Sequence, residues 1–391
     1  MIVKKSLGLL RYLAVVTGIG ISLLLFLEAA AWLLHPSRYD NPPDVTADAW
    51  IYSDALSPRD TVWMKEFVDE FCLSYHARWS SYVYYRREPF SGRHITIDSG
   101  GIRATIPQGK PSTDGRPPAR VFLFGGSTMW GTGARDSGTI PSALARLIAE
   151  DPDAGPASVV NFGESGYVST QALLRLELEL RKGNVPDVVI VYDGINDVFS
   201  AFQNGEPGLP QNEAHRATEF NLLKEGGRMR GLGAKDLFDR TVTASLLRSV
   251  RSTVAGTSPP PPPDTALAGG ILDLYRGNLA ILEALSKEFG FRYEAYWQPV
   301  VFSRGNPSPY ELAQSEKQKQ VRPFFAEAYR CVGQDGALRR NARFHNLGGV
   351  FDSVGTPVYI DFCHITEAGN AIVARAMYAD IRALLRPAQL R

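Results

Sequence analysis

Four short turns hold residue types that together could support acyl transfer to a serine. Gly125-Gly126-Ser127-Thr128 follows the apolar run Val121 to Phe124, and its glycines let the backbone turn sharply and present Ser127 at the start of a helix. There the seryl oxygen meets the positive end of a helix dipole, which favours developing negative charge. Asn161-Phe162-Gly163-Glu164-Ser165-Gly166-Tyr167 carries two glycines three apart, either of which lets a backbone N–H approach a ligand closely. Tyr192-Asp193-Gly194-Ile195-Asn196-Asp197 offers the uncharged amide of Asn196 as a donor. Asp361-Phe362-Cys363-His364 sets a carboxylate three residues before an imidazole, so Asp361 can accept from one ring nitrogen and leave the other to act as a base. Each turn alone reads as ordinary loop chemistry. Together they supply a nucleophile, a base, an orienting carboxylate and oxyanion donors. A phosphate loop is excluded at the first turn: Gly126 and Gly131 have the required spacing, but Thr132 stands where the lysine is needed.

Such turns work only if a scaffold gathers them, and the surrounding pattern predicts one. Apolar runs at Val121 to Phe124, Ser158 to Phe162, Val188 to Tyr192 and Tyr293 to Trp297 alternate with amphipathic helical patterns at Thr170 to Arg181 and Ile271 to Phe289. Strands alternating with helices imply a mostly parallel sheet covered on both faces, with ligands collecting at the carboxyl ends of the strands. The expected fold is α/β, three-layer α/β/α. Before it, residues 36–118 are rich in Pro, Asp and aromatics without sustained period, and a Pro- and Gly-rich loop marks a boundary near residue 118. Between 200 and 266 the alternation lapses into a polar insertion ending in Pro259 to Pro263, a stiff extended spacer or part of a substrate-covering lid.

These four blocks, in this order, resemble those of the SGNH hydrolase superfamily, also called GDSL-type esterases, over roughly residues 119–386, and the resemblance implies a flavodoxin-like parallel sheet of about five strands. The resemblance implies that Ser127 is the nucleophile, His364 the general base and Asp361 its orienting partner. It further implies an oxyanion hole from the Ser127 N–H, the Gly166 N–H and the Asn196 side chain, with Gly166 preferred to Gly163. Asp197 then braces its loop. One departure stands out: Gly126 occupies the place where the family usually has aspartate, as in other membrane-linked, glycan-associated members. The implied activity is cleavage of an ester through an acyl-serine, on a short acyl group of a glycan or other envelope substrate. Two alternatives stay open, a glycan O-acyltransferase with the same site and a non-catalytic glycan-binding protein whose aromatic 50–85 segment supplies stacking surfaces.

The 391 residues carry 42 Lys and Arg against 41 Asp and Glu, so no global field favours nucleic acid as a partner. Lys4, Lys5 and Arg11 precede the apolar run Leu13 to Leu34, which as a helix at about 1.5 Å per residue crosses roughly 30 Å of hydrocarbon. The charge asymmetry predicts an N-terminal transmembrane anchor over residues 1–35, with the rest extracytoplasmic. Glu28 costs that anchor about 2.5–3.5 kcal/mol if it sits in hydrocarbon. A cleaved signal peptide ending at Ala29-Ala30-Ala31 is the competing reading, and it exports the same body. Cys331 and Cys363 could form one bridge or remain two thiols, and Cys72 has no obvious partner. His35, His76, His94, His215 and His345 show no ligand spacing, so no metal and no cofactor are expected.

Overall fold

The computed structural model describes residues 15–23, 25–30, 62–112, 115, 117–213, 216–217, 220 and 263–385. The chain divides into two compact units, 1–41 with 215–259, and 42–214 with 260–391. In the first, residues 15–23 and 25–30 are helical, with Val15, Ile19, Leu25 and Phe26 exposed. Among the described residues no helix is long and apolar enough to cross a membrane, and the expected span Leu13 to Leu34 lies partly outside them. Most of the insertion expected at 200–266 also lies outside the described residues.

In the second unit, the described residues between 62 and 118 are more ordered than their composition suggests. They form helix α1 (Val62–Ser74), the antiparallel ribbon β1 (Ala77–Ser80) with β2 (Tyr84–Arg87), the short pair β3 (Phe90–Ser91) with β4 (Thr96–Ile97), and β5 (Gly109–Lys110). The break expected near residue 118 is not a seam, because β5 pairs antiparallel with a strand of the main sheet. Aromatic side chains explain the attachment: Trp63, Phe67 and Phe71 of α1 are buried together with Trp130, just past the serine turn. A stretch that lacks helical period along its whole length can still form one buried helix face.

The main sheet is built from β6 (Ala119–Gly125), β7 (Ala157–Asn161), β8 (Val188–Asp193), β9 (Arg292–Trp297) and β10 (Phe344–Asn346), all parallel, in the order β7-β6-β8-β9-β10. With β5 as an antiparallel edge it is a mixed sheet of six strands. The five parallel strands follow the flavodoxin order, in which the direction of winding reverses beside the first strand. Strand period explains the two faces. Phe122, Phe124, Val189 and Val191 enter one core with Leu173 and Leu176 of helix α4 (Ser169–Leu180), while Val121, Leu123, Val188 and Ile190 enter the other with Leu144 and Ile148 of helix α3 (Ile140–Glu150). The first core also takes in helices α5 (Ile195–Asn204), α6 (Thr265–Phe289) and α7 (Arg322–Gln334), and the second takes in α8 (Glu367–Ile381), which gives helices on both faces. The one-turn helix α2 (Ser127–Trp130) sits at the reversal point, at the carboxyl end of β6.

Candidate active site

Ser127 opens α2, whose length limits the dipole argument: four residues form a single turn, and Gly131 ends it in the left-handed region at φ 100°. The long helix expected directly behind the serine is α3, which begins only at Ile140. What α2 supplies is therefore local, a rigid turn that aims the seryl side chain. His364 comes from the far end of the chain. Its Nε2 lies 2.7 Å from Ser127 Oγ and its Nδ1 2.6 Å from Asp361 Oδ2. Asp361 Oδ1 accepts from the backbone N–H groups of Cys363 (2.8 Å) and His364 (2.7 Å), which fixes the carboxylate within its own loop. Thr366, two residues on, caps α8 by accepting from Gly369 N–H, so the helix start anchors the loop that carries the imidazole. Burial acts to raise the Asp361 carboxyl, but His364 and the backbone donors outweigh it and hold the group below its ordinary range. An ionised Asp361 fixes the proton on Nδ1 and leaves Nε2 to accept from the serine hydroxyl.

Gly163 and Gly166 have different surroundings. A side chain at Gly163 would collide with the backbone of Met129 and Trp130, so that glycine packs under the serine turn. Gly166 instead lines the cleft with Ser127, Asn196 and His364, in a volume of about 170 Å³. It adopts φ +75°, and no backbone bond occupies its N–H among the described residues. Asn196 is fixed at both ends: Nδ2 donates to Tyr167 O at 2.8 Å and Oδ1 accepts from Gln211 Nε2 at 3.1 Å, leaving one amide hydrogen of Nδ2 for the cleft. The departure at Gly126 has a steric reason, since a Cβ there would lie 2.2 Å from Asn196 Nδ2. Asp197 faces away from the cleft chemistry. It accepts from Ser169 N–H (3.0 Å), Ser169 Oγ (2.5 Å) and Gly194 N–H (3.1 Å), tying α5 to α4.

Several groups that hold this arrangement have no motif in the sequence. Gln298, at the carboxyl end of β9, donates to Thr128 Oγ1 beside the serine and accepts from Ile195 N–H beside Asn196. Arg103 is fully buried, pairs with Asp136 at 2.9 Å and donates to the carbonyls of Gly131 (2.7 Å) and Ala134 (2.5 Å), clamping the chain behind α2. Glu164 pairs with buried Arg87 at 3.3 Å and accepts from Arg87 N–H (3.0 Å), which locks the glycine turn to β2. Tyr85 donates to Ser165 O at 2.7 Å. Truncating one partner of such a buried pair costs about 3–5 kcal/mol, so residues 62–118 form part of the frame of the site.

Cys331 and Cys363 are both free thiols, so the bridge that their spacing allowed is not formed. Cys363 Sγ lies 3.7 Å from His364 Nδ1, but burial, reinforced by the Asp361 charge, pushes the thiol well above its ordinary range. It stays protonated near neutral pH. Asp361, Cys363 and His364 place ligand atoms within 4.8 Å of one another, but these atoms are already engaged with each other and with Ser127.

Asp193 is buried beside Asp197, and burial together with that neighbour raises its carboxyl well above the usual range. Asp197 has three donors whereas Asp193 Oδ1 has none, so Asp193 carries the proton. The unfolded chain releases this proton above about pH 4 and the folded chain keeps it, so the group subtracts stability as pH rises. Asp193→Asn, neutral at every pH, is expected to gain in Tm relative to the parent protein as pH rises from about 4 to 8. Thermal unfolding across that range checks it, and a constant Tm difference would mean that Asp193 is ionised in the fold.

The GDSL-like lipase/acylhydrolase family profile matches residues 123–372. Among solved structures, a catalytic mutant of the acetylxylan esterase Axe2 from Geobacillus stearothermophilus is 18% identical, covering 69% of this chain and 95% of its own, with a TM-score of 0.38. A carbohydrate acetylesterase family member from Sinorhizobium meliloti is 16% identical, covering 68% and 99%, with a TM-score of 0.34. No curated protein matches the chain. With well over half of its length matched, and with all four chemical blocks inside the matched span, this chain belongs to the GDSL-like lipase/acylhydrolase family and is a hydrolase of ester bonds.

Proposed function

We propose that Ser127 is the nucleophile of a serine esterase that removes a short acyl group from a glycan or related envelope substrate. The observation that carries this reading is the unbroken hydrogen-bonded chain from Ser127 Oγ through His364 to Asp361, opening into the cleft lined by Gly166 and Asn196. Ser127 Oγ attacks the acyl carbon as its proton passes to His364 Nε2, and Asp361 stabilises the imidazolium that forms. The tetrahedral oxygen takes up negative charge between the N–H groups of Ser127 and Gly166 and the free amide hydrogen of Asn196. His364 then returns its proton to the leaving alkoxide. Water attacks the acyl-serine in the second half, giving up a proton through His364 and releasing the acid and a free serine.

The small, open cleft favours a short acyl group on a bulky alcohol that stays largely outside. Acetylated polysaccharide incubated with the full-length protein is expected to release free acetate with water as the acceptor. Acyl groups appearing on a second glycan, without free acid, would mean that the acceptor is a sugar hydroxyl. A complete lack of turnover on esters would remove the reading. We also propose that residues 13–34 tether the protein with this site on the extracytoplasmic side, on the strength of the apolar run and its flanking charges. Resistance to carbonate extraction from membranes is expected, and recovery in the soluble fraction would contradict the tether.

A further inference from the structure

The ribbon β1–β2 has an unusual outer face. In the antiparallel register Arg78 stands directly opposite Arg86, a like-charge pair that destabilises a ribbon left to itself. Behind them lies Arg175 of α4, with its side chain only 6% exposed and its Nε without a hydrogen-bond partner. Arg175 is paired at 2.7 Å with Glu179, which also holds Lys182 at 3.0 Å, so one carboxylate serves both cations. Arg78, Arg86, Arg175 and Lys182 line a single groove of about 490 Å³. Burial first, and the nearby Arg86 charge second, pull the Arg175 guanidinium down to about 10 against the opposing charge of Glu179.

Two aromatic side chains border the same groove. Trp79 is 70% exposed and Tyr82 is 68% exposed, far more than aromatic rings in a well-packed surface. Tyr82 and Tyr84 also adopt left-handed backbone angles, φ 69° and 72°, each costing about 1–3 kcal/mol. The chain therefore carries both a like-charge pair and left-handed backbone at this ribbon, where Arg78 also donates to the carbonyl of Ser99.

We infer that this groove binds an anionic polysaccharide, with uronate-type carboxylates received by the paired Arg78 and Arg86 above the recessed Arg175, and sugar faces stacked on Trp79 and Tyr82. Guanidinium forks match carboxylates in bidentate geometry, and flat aromatic faces suit pyranose rings. The recessed position of Arg175 favours a chain that drops substituents into a groove over a flat lipid surface. The geometry also relates the groove to the reaction. β2 presents Arg86 to the groove, while its neighbours Tyr85 and Arg87 bond to Ser165 and Glu164 of the glycine turn, so a glycan held on the ribbon lies on the strand that also fixes the oxyanion side of the cleft. This deepens the proposed esterase reading by naming the substrate class, and it rests on that reading only for the direction of catalysis.

The test compares binding of the full-length protein in detergent to polygalacturonate, to neutral dextran of similar length and to phosphatidylglycerol vesicles. Polygalacturonate is expected to bind, more weakly as salt rises, and dextran at least about tenfold more weakly, as expected when charge-assisted contacts are lost. Arg78→Gln and Arg86→Gln are each expected to weaken polygalacturonate binding about tenfold, and Trp79→Ala to weaken it without changing the salt slope. All three variants should keep turnover of a small acetate ester, and the two arginine variants should hold or raise Tm, since each removes one charge of the like-charge pair. Equal binding of dextran, unchanged affinity in the arginine variants, or vesicle binding that depends on these arginines while polygalacturonate does not bind, would overturn the inference. Loss of ester turnover in the parent protein with polygalacturonate binding intact would instead remove the esterase reading and leave the groove standing.

Discussion

Ser127→Ala is expected to lower kcat/KM on a chromogenic acetate ester by about 10⁴-fold to 10⁶-fold while leaving Tm close to that of the parent protein. The size of the effect follows from the wiring of the site. Among the described residues His364 Nε2 has one side-chain partner, Ser127 Oγ at 2.7 Å, and without that oxygen the proposed base has nothing to activate except water. The neighbouring thiol of Cys363 offers no substitute, since burial keeps it protonated. What remains in the variant is the positioning and oxyanion contribution proposed for Gly166 and Asn196, which gives only residual turnover. A fall of less than about tenfold would mean that the ester is cleaved without an acyl-serine at this position.

Asp361→Asn carries the second largest expected effect, a fall in kcat of about 10³-fold to 10⁴-fold with little change in KM. The two backbone N–H groups of Cys363 and His364 require an acceptor at Oδ1. An asparagine placed there therefore turns its amide nitrogen toward His364 Nδ1. That nitrogen must then accept, the proton moves to Nε2, and the imidazole faces Ser127 Oγ as a donor. The nucleophile stays in place but cannot lose its proton. Steady-state kinetics with a parallel Tm measurement separates this from unfolding, because a positioning defect lowers kcat at constant stability. An equal fall in Tm and activity would point to a merely structural carboxylate.

The sequence made the chemical residues far more legible than the parts that hold them. Ser127 and Asn196 each follow a strand and the Asp361–His364 pair precedes a helix, and strand-end position is written in apolar runs such as Val188 to Tyr192 that local period detects. Strands β6, β7, β8 and β9 could be anticipated for the same reason. β10 could not, because Phe344-His345-Asn346 is three residues long and has no apolar run of its own. β5 was hidden for a different reason: Gly109–Lys110 lies in a Pro- and Gly-rich stretch and becomes a strand only by pairing with β7. Arg87, Arg103 and Gln298 act through partners far away in the chain, and a charged or amide side chain carries no local sign of whether tertiary packing will bury it. Gln298 did leave a faint signal, as a polar residue directly behind the apolar run ending at Trp297, the same placement that marked the other four turns.

The departure at Gly126 shows how one position becomes readable only in three dimensions. From the sequence it is a missing carboxylate beside the nucleophile. In the fold it is the space that lets the Asn196 amide reach the serine turn, since any Cβ would press on Nδ2 at 2.2 Å. Loss of the usual side chain and close approach of the donor are thus one geometric fact.

Covalent labelling of the parent protein with a fluorophosphonate, followed by peptide mass spectrometry, tests the central claim most directly. The reagent adds to a serine only when a base has made its oxygen nucleophilic. A single adduct on the peptide containing Ser127, abolished in His364→Ala, is the expected result. Labelling of another residue, or persistent labelling of Ser127 without the imidazole, would contradict the account.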